Sequence, residues 1–261
     1  MVTLRTKLSQ IWRLAATSRT PIPLILDSVR MFRWSYEAQG LDNNRFRLKG
    51  GQGEWFTFYE NVIRRDYLQN GILVQKGDTV IDIGANIGTF TLVVASLVGP
   101  GGRVIAFEPN PSIQPRLREH VCANRLTQVT VHNDAVGGSN GTITLFVQSK
   151  SSLSTTHSTL DDSDRSDGIP VQVVVRGINE IFDGIEGEVG LLKVDCEGAE
   201  YDIFDRLSEA NAGKIRQIAM EVHKIAGRTS EALISRLTSL GFDVKNSSPM
   251  TAFRRRSIGV R

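Results

Sequence analysis

The sequence predicts an α/β fold: a doubly wound, mostly parallel sheet carrying an extra β-hairpin insertion and a basic helical appendage at the N-terminus. Three observations carry this. An apolar, β-branched run over 79–83 passes through a turn holding Gly84 and Gly88 into an apolar helix over 89–97. A second buried strand over 103–107 follows at once and is stopped by Glu108-Pro109. Leu191-Leu192-Lys193-Val194 then reads as a central strand, with Gly198 in the next turn and a helix over 199–207.

At 261 residues, the chain has the length of one such domain plus an appendage. Its 40% hydrophobic and 23% charged content is that of a globular protein. A net charge of +3 does not by itself demand a nucleic-acid partner. No run reaches the roughly 18 apolar residues of a membrane span. The N-terminus lacks the apolar core and cleavage site of a secretory leader. Cys122 and Cys196 make no metal spacing and fall in segments read as buried, which suits free thiols in a reducing cytoplasm.

The appendage is assigned to residues 1–58 and the main domain to 59–261. Arg5, Lys7, Arg13, Arg19, Arg30, Arg33, Arg45, Arg47 and Lys49 face only Asp27, Glu37 and Asp42 over residues 1–50. Leu4, Leu8, Ile11, Trp12 and Ala15 recur at helical spacing, predicting a short basic amphipathic helix. Pro21 and Pro23 break it, and 25–36 is read as a second helix. The segment serves as a lid or packing element, or meets a membrane surface or an acidic substrate. Nucleic acid is disfavoured, because no aromatic–basic interleaving accompanies the charge. Next, 45–48 alternates as a strand, 50–53 forms a turn, and Glu60 opens a helix-like segment to 68, where an acid suits the helix dipole.

The turn after 79–83 sets the expected ligand. A strand-to-helix turn points backbone N–H groups outward. A dinucleotide fingerprint has a glycine where this chain has Asn86, and a side chain there crowds a pyrophosphate. Asp82 at the strand end repels phosphates and attracts an ammonium or a sulfonium. S-Adenosylmethionine carries both cations and no phosphate. Glu108, roughly 20 residues beyond the turn, is placed for ribose hydroxyls. A third strand over 128–136 brings Asp134 toward an adenine amino group and the Ala135 backbone toward the ring edge; an ordinary turn is the alternative there. The cofactor-binding set is thus Asp82, Gly84, Asn86, Gly88, Glu108, Pro109, Asp134 and Ala135.

Two β-rich runs, 142–147 and 171–175, interrupt the βα rhythm and flank a Ser/Thr/Asp-rich stretch over 149–168, read as an acceptor-binding or lid loop or as disorder. Beyond them, Asp195 and Glu197 follow one strand end, and Glu221 and His223 follow another over 217–223. If the strands are neighbours, four titratable groups converge at one rim. Transfer of a methyl group from a sulfonium needs in-line alignment, and an acceptor that carries a proton also needs a positioned base. Asp195 or His223 is the expected base, Lys193 or Glu197 orients the acceptor, and Glu200 pairs within its helix. The same set would also suit a divalent metal. No metal is assigned, for want of a further well-spaced ligand pair. A helix over 229–240 is capped by Thr229 or Ser230 and stopped by Gly241. The last two strands are read at 242–244 and 257–260. Arg254-Arg255-Arg256 is a solvated turn, or else a contact to an anionic acceptor.

Four motifs in order, 82–88 (Asp-Ile-Gly-Ala-Asn-Ile-Gly), 107–110 (Phe-Glu-Pro-Asn), 133–136 (Asn-Asp-Ala-Val) and 193–200 (Lys-Val-Asp-Cys-Glu-Gly-Ala-Glu), resemble the FkbM-type S-adenosylmethionine-dependent methyltransferases from about residue 60 to about 240. The resemblance implies a Rossmann-like class I methyltransferase fold with an antiparallel last strand. It also implies Glu60 near the cofactor's methionine end, and O-methylation of a sugar hydroxyl of a glycan, glycolipid or natural product. Ser151-Ser152-Leu153 matches the family's loop start. Gly177-Ile178-Asn179 departs from its usual Leu-Asp pair. Two rivals are an NAD-dependent oxidoreductase, disfavoured by Asn86 and Asp82, and a non-catalytic cofactor-binding module.

Overall fold

The computed structural model describes residues 4–147 and 168–254. The chain begins with helices α1 (Leu4–Thr17) and α2 (Pro21–Ser28), strands β1 (Ser35–Gln39) and β2 (Arg45–Lys49), and helix α3 (Glu54–Phe58). Then come β3 (Thr79–Ile83), α4 (Thr89–Val98), β4 (Arg103–Phe107), α5 (Gln114–Ala123) and β5 (Val129–His132). An inserted group follows, β6 (Ala135–Gly137), β7 (Gly141–Val147) and β8 (Ile169–Gly177), leading to α6 (Ile178–Asp183). The chain closes with β9 (Leu191–Val194), α7 (Glu200–Arg206), α8 (Glu209–Ala212), β10 (Gln217–Met220), α9 (Ser230–Ser239), β11 (Phe242–Lys245) and β12 (Met250–Arg254).

Seven strands form the central sheet in the order β11-β12-β10-β9-β3-β4-β5. β10, β9, β3, β4 and β5 run parallel, and β12 inserts antiparallel to both β10 and β11. The strand pattern follows from burial on both faces: such strands read as continuous apolar runs whose alternate side chains go to opposite layers. Ile81, Ile83, Ile105 and Phe107 pack with Ile178, Phe182, Phe204 and Leu237 on one face. Val80 and Val104 pack with Phe90, Val94 and Val98 of α4 on the other. The order reverses between β3 and β9, so the crevice at their carboxyl ends is the place where such sheets bind ligands. The insertion is a β7–β8 hairpin with β6 added parallel to β8, a separate three-stranded sheet.

α4 is apolar nearly all round, and a helix of that kind must be covered on both sides. The sheet covers one side. Leu14, Leu24, Phe46, Leu48 and Phe58 from the N-terminal segment share a core with Leu92 and Val93 on the other. Asn44 Nδ2 donates to Leu92 O at 3.0 Å and to Ser96 Oγ at 2.8 Å, fixing the β1–β2 hairpin to the helix.

Several sequence expectations are corrected here. The helix expected over 25–36 is shorter and earlier: Pro21 starts α2 at its first turn, where the missing N–H costs nothing. After it the chain turns at Arg30 (φ 61°), and Tyr36 and Ala38 alternate inward as part of strand β1. If the apolar stripe of α1 served as a packing face, it would be buried, but its described members Leu8 and Trp12 face outward. They are 57% and 70% exposed, and Leu14 is the buried contact. Glu60 does not open a helix; α3 begins at Glu54 and runs into a wider helical turn, Tyr59–Arg64, that contains Glu60. Cys122 is exposed, because α5 buries Gln114, Leu117 and His120 on its other side. The last described strand lies at Met250–Arg254; the expected strand at 257–260, Arg255, Arg256 and the loop from 149 to 167 with Ser151, Ser152 and Leu153 lie outside the described residues. Among the described residues no helix is long and apolar enough to cross a membrane.

Candidate active site

A cleft opens at the carboxyl ends of β3, β4 and β9, and its lining includes Gly84, Asn86, Glu108, Pro109, Asp134 and Ala135. Asp195, Cys196 and Glu197 line its other side, with Ile143 and Leu145 reaching in from the inserted sheet. The turn that makes room is forced at Gly84. Its φ of 75° is left-handed, and a Cβ there would stand 1.7 Å from the Asp195 carbonyl oxygen. Only a glycine lets the β3 and β9 ends approach so closely. Asn86 takes a left-handed φ of 51°, stabilised by its own Oδ1 accepting from the Ile87 N–H at 2.7 Å.

Glu108 is buried, at 5% exposure. Its Oε2 accepts from the Asn86 N–H at 2.8 Å and its Oε1 from the Asn110 N–H at 2.9 Å. Burial pushes its carboxyl up to about 7, against the pull of those two backbone donors. Each oxygen keeps a lone pair for a hydroxyl in the cleft. Asp134 is engaged through Oδ2 by the Arg176 guanidinium of β8, a partner that sequence spacing did not reveal.

Asp82, Lys193 and Gly88 are not in this lining. Asp82 is 0% exposed; its Oδ2 accepts from Thr91 Oγ1 at 2.6 Å and its Oδ1 faces Lys193 Nζ at 3.0 Å. Lys193 Nζ also donates to the carbonyl oxygens of Gly84, at 2.7 Å, and Ile83, at 3.2 Å. Burial works against this ammonium, but the Asp82 and Asp195 carboxylates outweigh it and hold its pKa above the ordinary lysine value. The expectation that Asp82 attracts the cofactor's cation and that Lys193 orients the acceptor is therefore corrected. A buried charge needs a partner, and these two residues partner each other while clamping the turn. Gly88 caps α4 with φ 88°, and a Cβ there would meet Leu117 Cδ1 at 2.5 Å; it serves packing.

β9 and β10 are parallel neighbours with Val194 opposite Met220, so the residues following them meet. Tyr67 Oη lies 2.9 Å from Asp195 Oδ2 and 3.3 Å from Glu221 Oε2. His223 Nε2 lies 3.4 Å from Glu197 Oε2 and 4.0 Å from Asp195 Oδ1. Its Nδ1 is bonded to Glu200 Oε1, so Glu200 does not pair within its own helix as expected. Burial opposes the imidazolium of His223, but Glu200, with Glu197 and Asp195, overrides it and lifts the pKa to about 9. Burial raises the Glu197 carboxyl, and Glu197 sits at a left-handed φ of 54°. Glu60 is half-buried beside this group. Burial, then Asp66 and Glu221, push its carboxyl up to about 7. Tyr67 was missed from sequence and lies in no motif; Glu200 closes the 193–200 motif but was read as pairing within its helix, and only the strand register brings the two here.

Glu221 and His223 also line a second groove of about 570 Å³ with Tyr201, Lys224, Arg228 and Ser247. His223 of this groove lies 3.4 Å from Glu197 and 4.0 Å from Asp195 of the cofactor-side cleft, so the two adjoin there.

The methyltransferase FkbM domain model matches residues 82–244. The chain belongs to the FkbM methyltransferase family. It is similar to the 31-O-demethyl-FK506 methyltransferase FkbM of Streptomyces tacrolimicus, 31% identical over 218 residues that cover 72% of this chain and 82% of that one. It is also similar to the AMB antimetabolite synthetase AmbE of Pseudomonas aeruginosa, 30% identical over 72% of this chain; the chain spans 10% of that synthetase's length. Among solved structures, a fibrillarin of Aeropyrum pernix with natively bound S-adenosylmethionine covers 86% of this chain at 15% identity and a TM-score of 0.45. The protein is accordingly a methyltransferase, and its α/β sheet with the antiparallel β12 is the class I arrangement. Membership of a methyltransferase family sets the NAD-dependent oxidoreductase aside.

Proposed function

We propose that the protein methylates a hydroxyl group from S-adenosylmethionine, and that the acceptor is a sugar-like hydroxyl of a glycan, glycolipid or natural product. The observation that carries the reading is the meeting of cleft and groove at Asp195 and His223. The cleft's donor set suits a nucleoside. Glu108 faces it with a carboxylate whose pKa is raised, which ribose hydroxyl donors would relieve. The cleft encloses about 110 Å³, below the roughly 300 Å³ of ordinary ligand pockets, so a whole cofactor enters only as the cleft opens further. When bound, the cofactor supplies an electrophilic methyl group on sulfur. The chain's part is to align an acceptor oxygen with it and to receive the hydroxyl proton at Asp195; His223, with its pKa lifted to about 9, is already protonated at neutral pH and does not take that role in the ligand-free site.

The relative FkbM is named for an O-demethyl compound, which supports an oxygen acceptor here. The groove mixes Lys224 and Arg228 with Glu221 and Glu231, unlike the uniformly basic track that a phosphate backbone needs. A small-molecule or glycan acceptor therefore fits better than nucleic acid. The N-terminal segment adds a peripheral contact with anionic membrane, since Trp12, Met31 and Trp34 stand exposed among Lys7, Arg13, Arg30 and Arg33. Free thiols at Cys122 and Cys196 suit the cytoplasm.

Calorimetric titration with S-adenosylhomocysteine, on wild type and Glu108→Ala, tests the cofactor. Micromolar binding that the variant weakens is expected. Equal binding by both would remove Glu108 from the site, and no binding by wild type would overturn the reading. Radiolabelled methyl transfer to hydroxylated acceptors, lost in Asp195→Asn, then tests the chemistry.

A further inference from the structure

The groups behind the Asp195–His223 junction carry more negative charge than the described cations balance. Asp195, Glu197, Glu200 and Glu221 gather around His223, with Glu60 close by. Lys193 lies 3.8 Å from Asp195 but is committed at 3.0 Å to Asp82. Tyr67 stands between Asp195 and Glu221, yet a phenol has one proton and satisfies one carboxylate. Such an arrangement calls for a further cation.

The geometry indicates which kind. One oxygen from Asp195, one from Glu221 and one imidazole nitrogen of His223 all lie within 4.8 Å of one another. The adjacent ends of β9 and β10 set the first two side by side, and the Glu221 N–H donates to Val194 O at 3.0 Å. A second observation concerns the imidazole rather than the carboxylates. Glu200, 0% exposed, holds His223 by Nδ1, which leaves Nε2 facing the carboxylates. That buried clamp is how metal-binding imidazoles are usually oriented. The other Glu200 oxygen, also buried, has no hydrogen-bond partner among the described residues.

We propose that Asp195, Glu221 and His223 form a site for a hard divalent cation, Mg²⁺ or Mn²⁺, with Glu200 as the residue that positions His223. Two carboxylates and one imidazole suit such an ion, and half-open exposure leaves its remaining positions to water or to a substrate oxygen. The ion sits where cleft and groove meet. Its catalytic use, lowering the pKa of an acceptor hydroxyl, rests on the methyl-transfer reading above; its binding does not.

The full chain, free of cofactor and acceptor, is titrated with Mn²⁺, following the loss of the free-ion electron paramagnetic resonance signal. One site per chain is expected, weakened at least tenfold in Glu221→Gln and His223→Asn and about tenfold in Glu200→Gln. Circular dichroism and S-adenosylhomocysteine binding on the same samples establish that each variant is folded. No saturable binding below about 1 mM, or saturation unchanged in Glu221→Gln and His223→Asn, overturns the site. Homocysteine-analogue binding without Mn²⁺ binding would sink the metal and leave the methyltransferase cofactor reading intact; Mn²⁺ binding alone would do the reverse.

Discussion

The Asp82–Lys193 pair makes a quantitative demand. Lys193→Met removes the cation from beside a carboxylate that has no exposed surface, and such a change costs about 3–5 kcal/mol. For a chain of this size each kcal/mol lowers Tm by about 2–4 °C, so a fall of roughly 6–20 °C follows. Asp82→Asn keeps the Thr91 hydrogen bond but strips Lys193 of its nearer partner, leaving Asp195 at 3.8 Å; about 2–3 kcal/mol is expected. The double variant has no buried charge left. It loses only the Lys193 bonds to the Ile83 and Gly84 carbonyls, about 1 kcal/mol each. The double-variant cycle should therefore show a coupling of at least about 2 kcal/mol, the pair together being milder than the two singles summed. Urea unfolding of the four proteins measures it. A Lys193→Met cost below about 1 kcal/mol, or single effects that add within about 0.5 kcal/mol, would refute the argument. Asp82 would then be free to meet a ligand after all.

Glu108 and the N-terminal face each make a further demand. With a carboxyl at about 7 in the ligand-free protein, Glu108 is increasingly protonated as pH falls below 7, and its acid form has lost the charge that attracts hydroxyl donors. S-Adenosylhomocysteine should bind about tenfold more weakly at pH 6 than at pH 8, and Glu108→Gln should bind weakly with that slope flattened; a flat wild-type profile would contradict the assignment. Trp12→Ala/Trp34→Ala should sediment less with anionic phosphatidylglycerol vesicles than wild type, and neither protein should sediment with neutral phosphatidylcholine vesicles. Concentration-dependent dimerisation lost in the same variant, without vesicle binding, would assign the face to a second copy of the chain.

Local chemistry made much of the molecule readable in advance. The apolar runs of β3, β4, β9 and β10, the obligate turn at Gly84, the proline that ends β4 after Glu108 and the Thr229 cap of α9 each express a backbone preference of a few neighbouring residues. These elements and their order sufficed for the α/β class. Motif order brought Gly84, Asn86, Glu108 and Asp134 to the cofactor-binding set and Asp195 to the catalytic one, and all five line one cleft.

Partnership between side chains was not readable, because it depends on register across strands far apart in the chain. Lys193 meets the carbonyl of Ile83, 110 positions away, and Tyr67 meets Asp195, 128 away. Spacing along the sequence holds no trace of either. So Asp82 and Lys193 looked like groups facing a ligand and are a buried pair, while Glu200 looked like a helix-surface acid and is the clamp on His223. The N-terminus failed for the same reason. Its apolar stripe was legible, but which face α4 would cover depended on where the β1–β2 hairpin packs. The sequence alone determined the strands, turns and caps through local backbone energetics. The tertiary structure alone decided which charges are buried together, since only packing removes them from water and makes a partner obligatory.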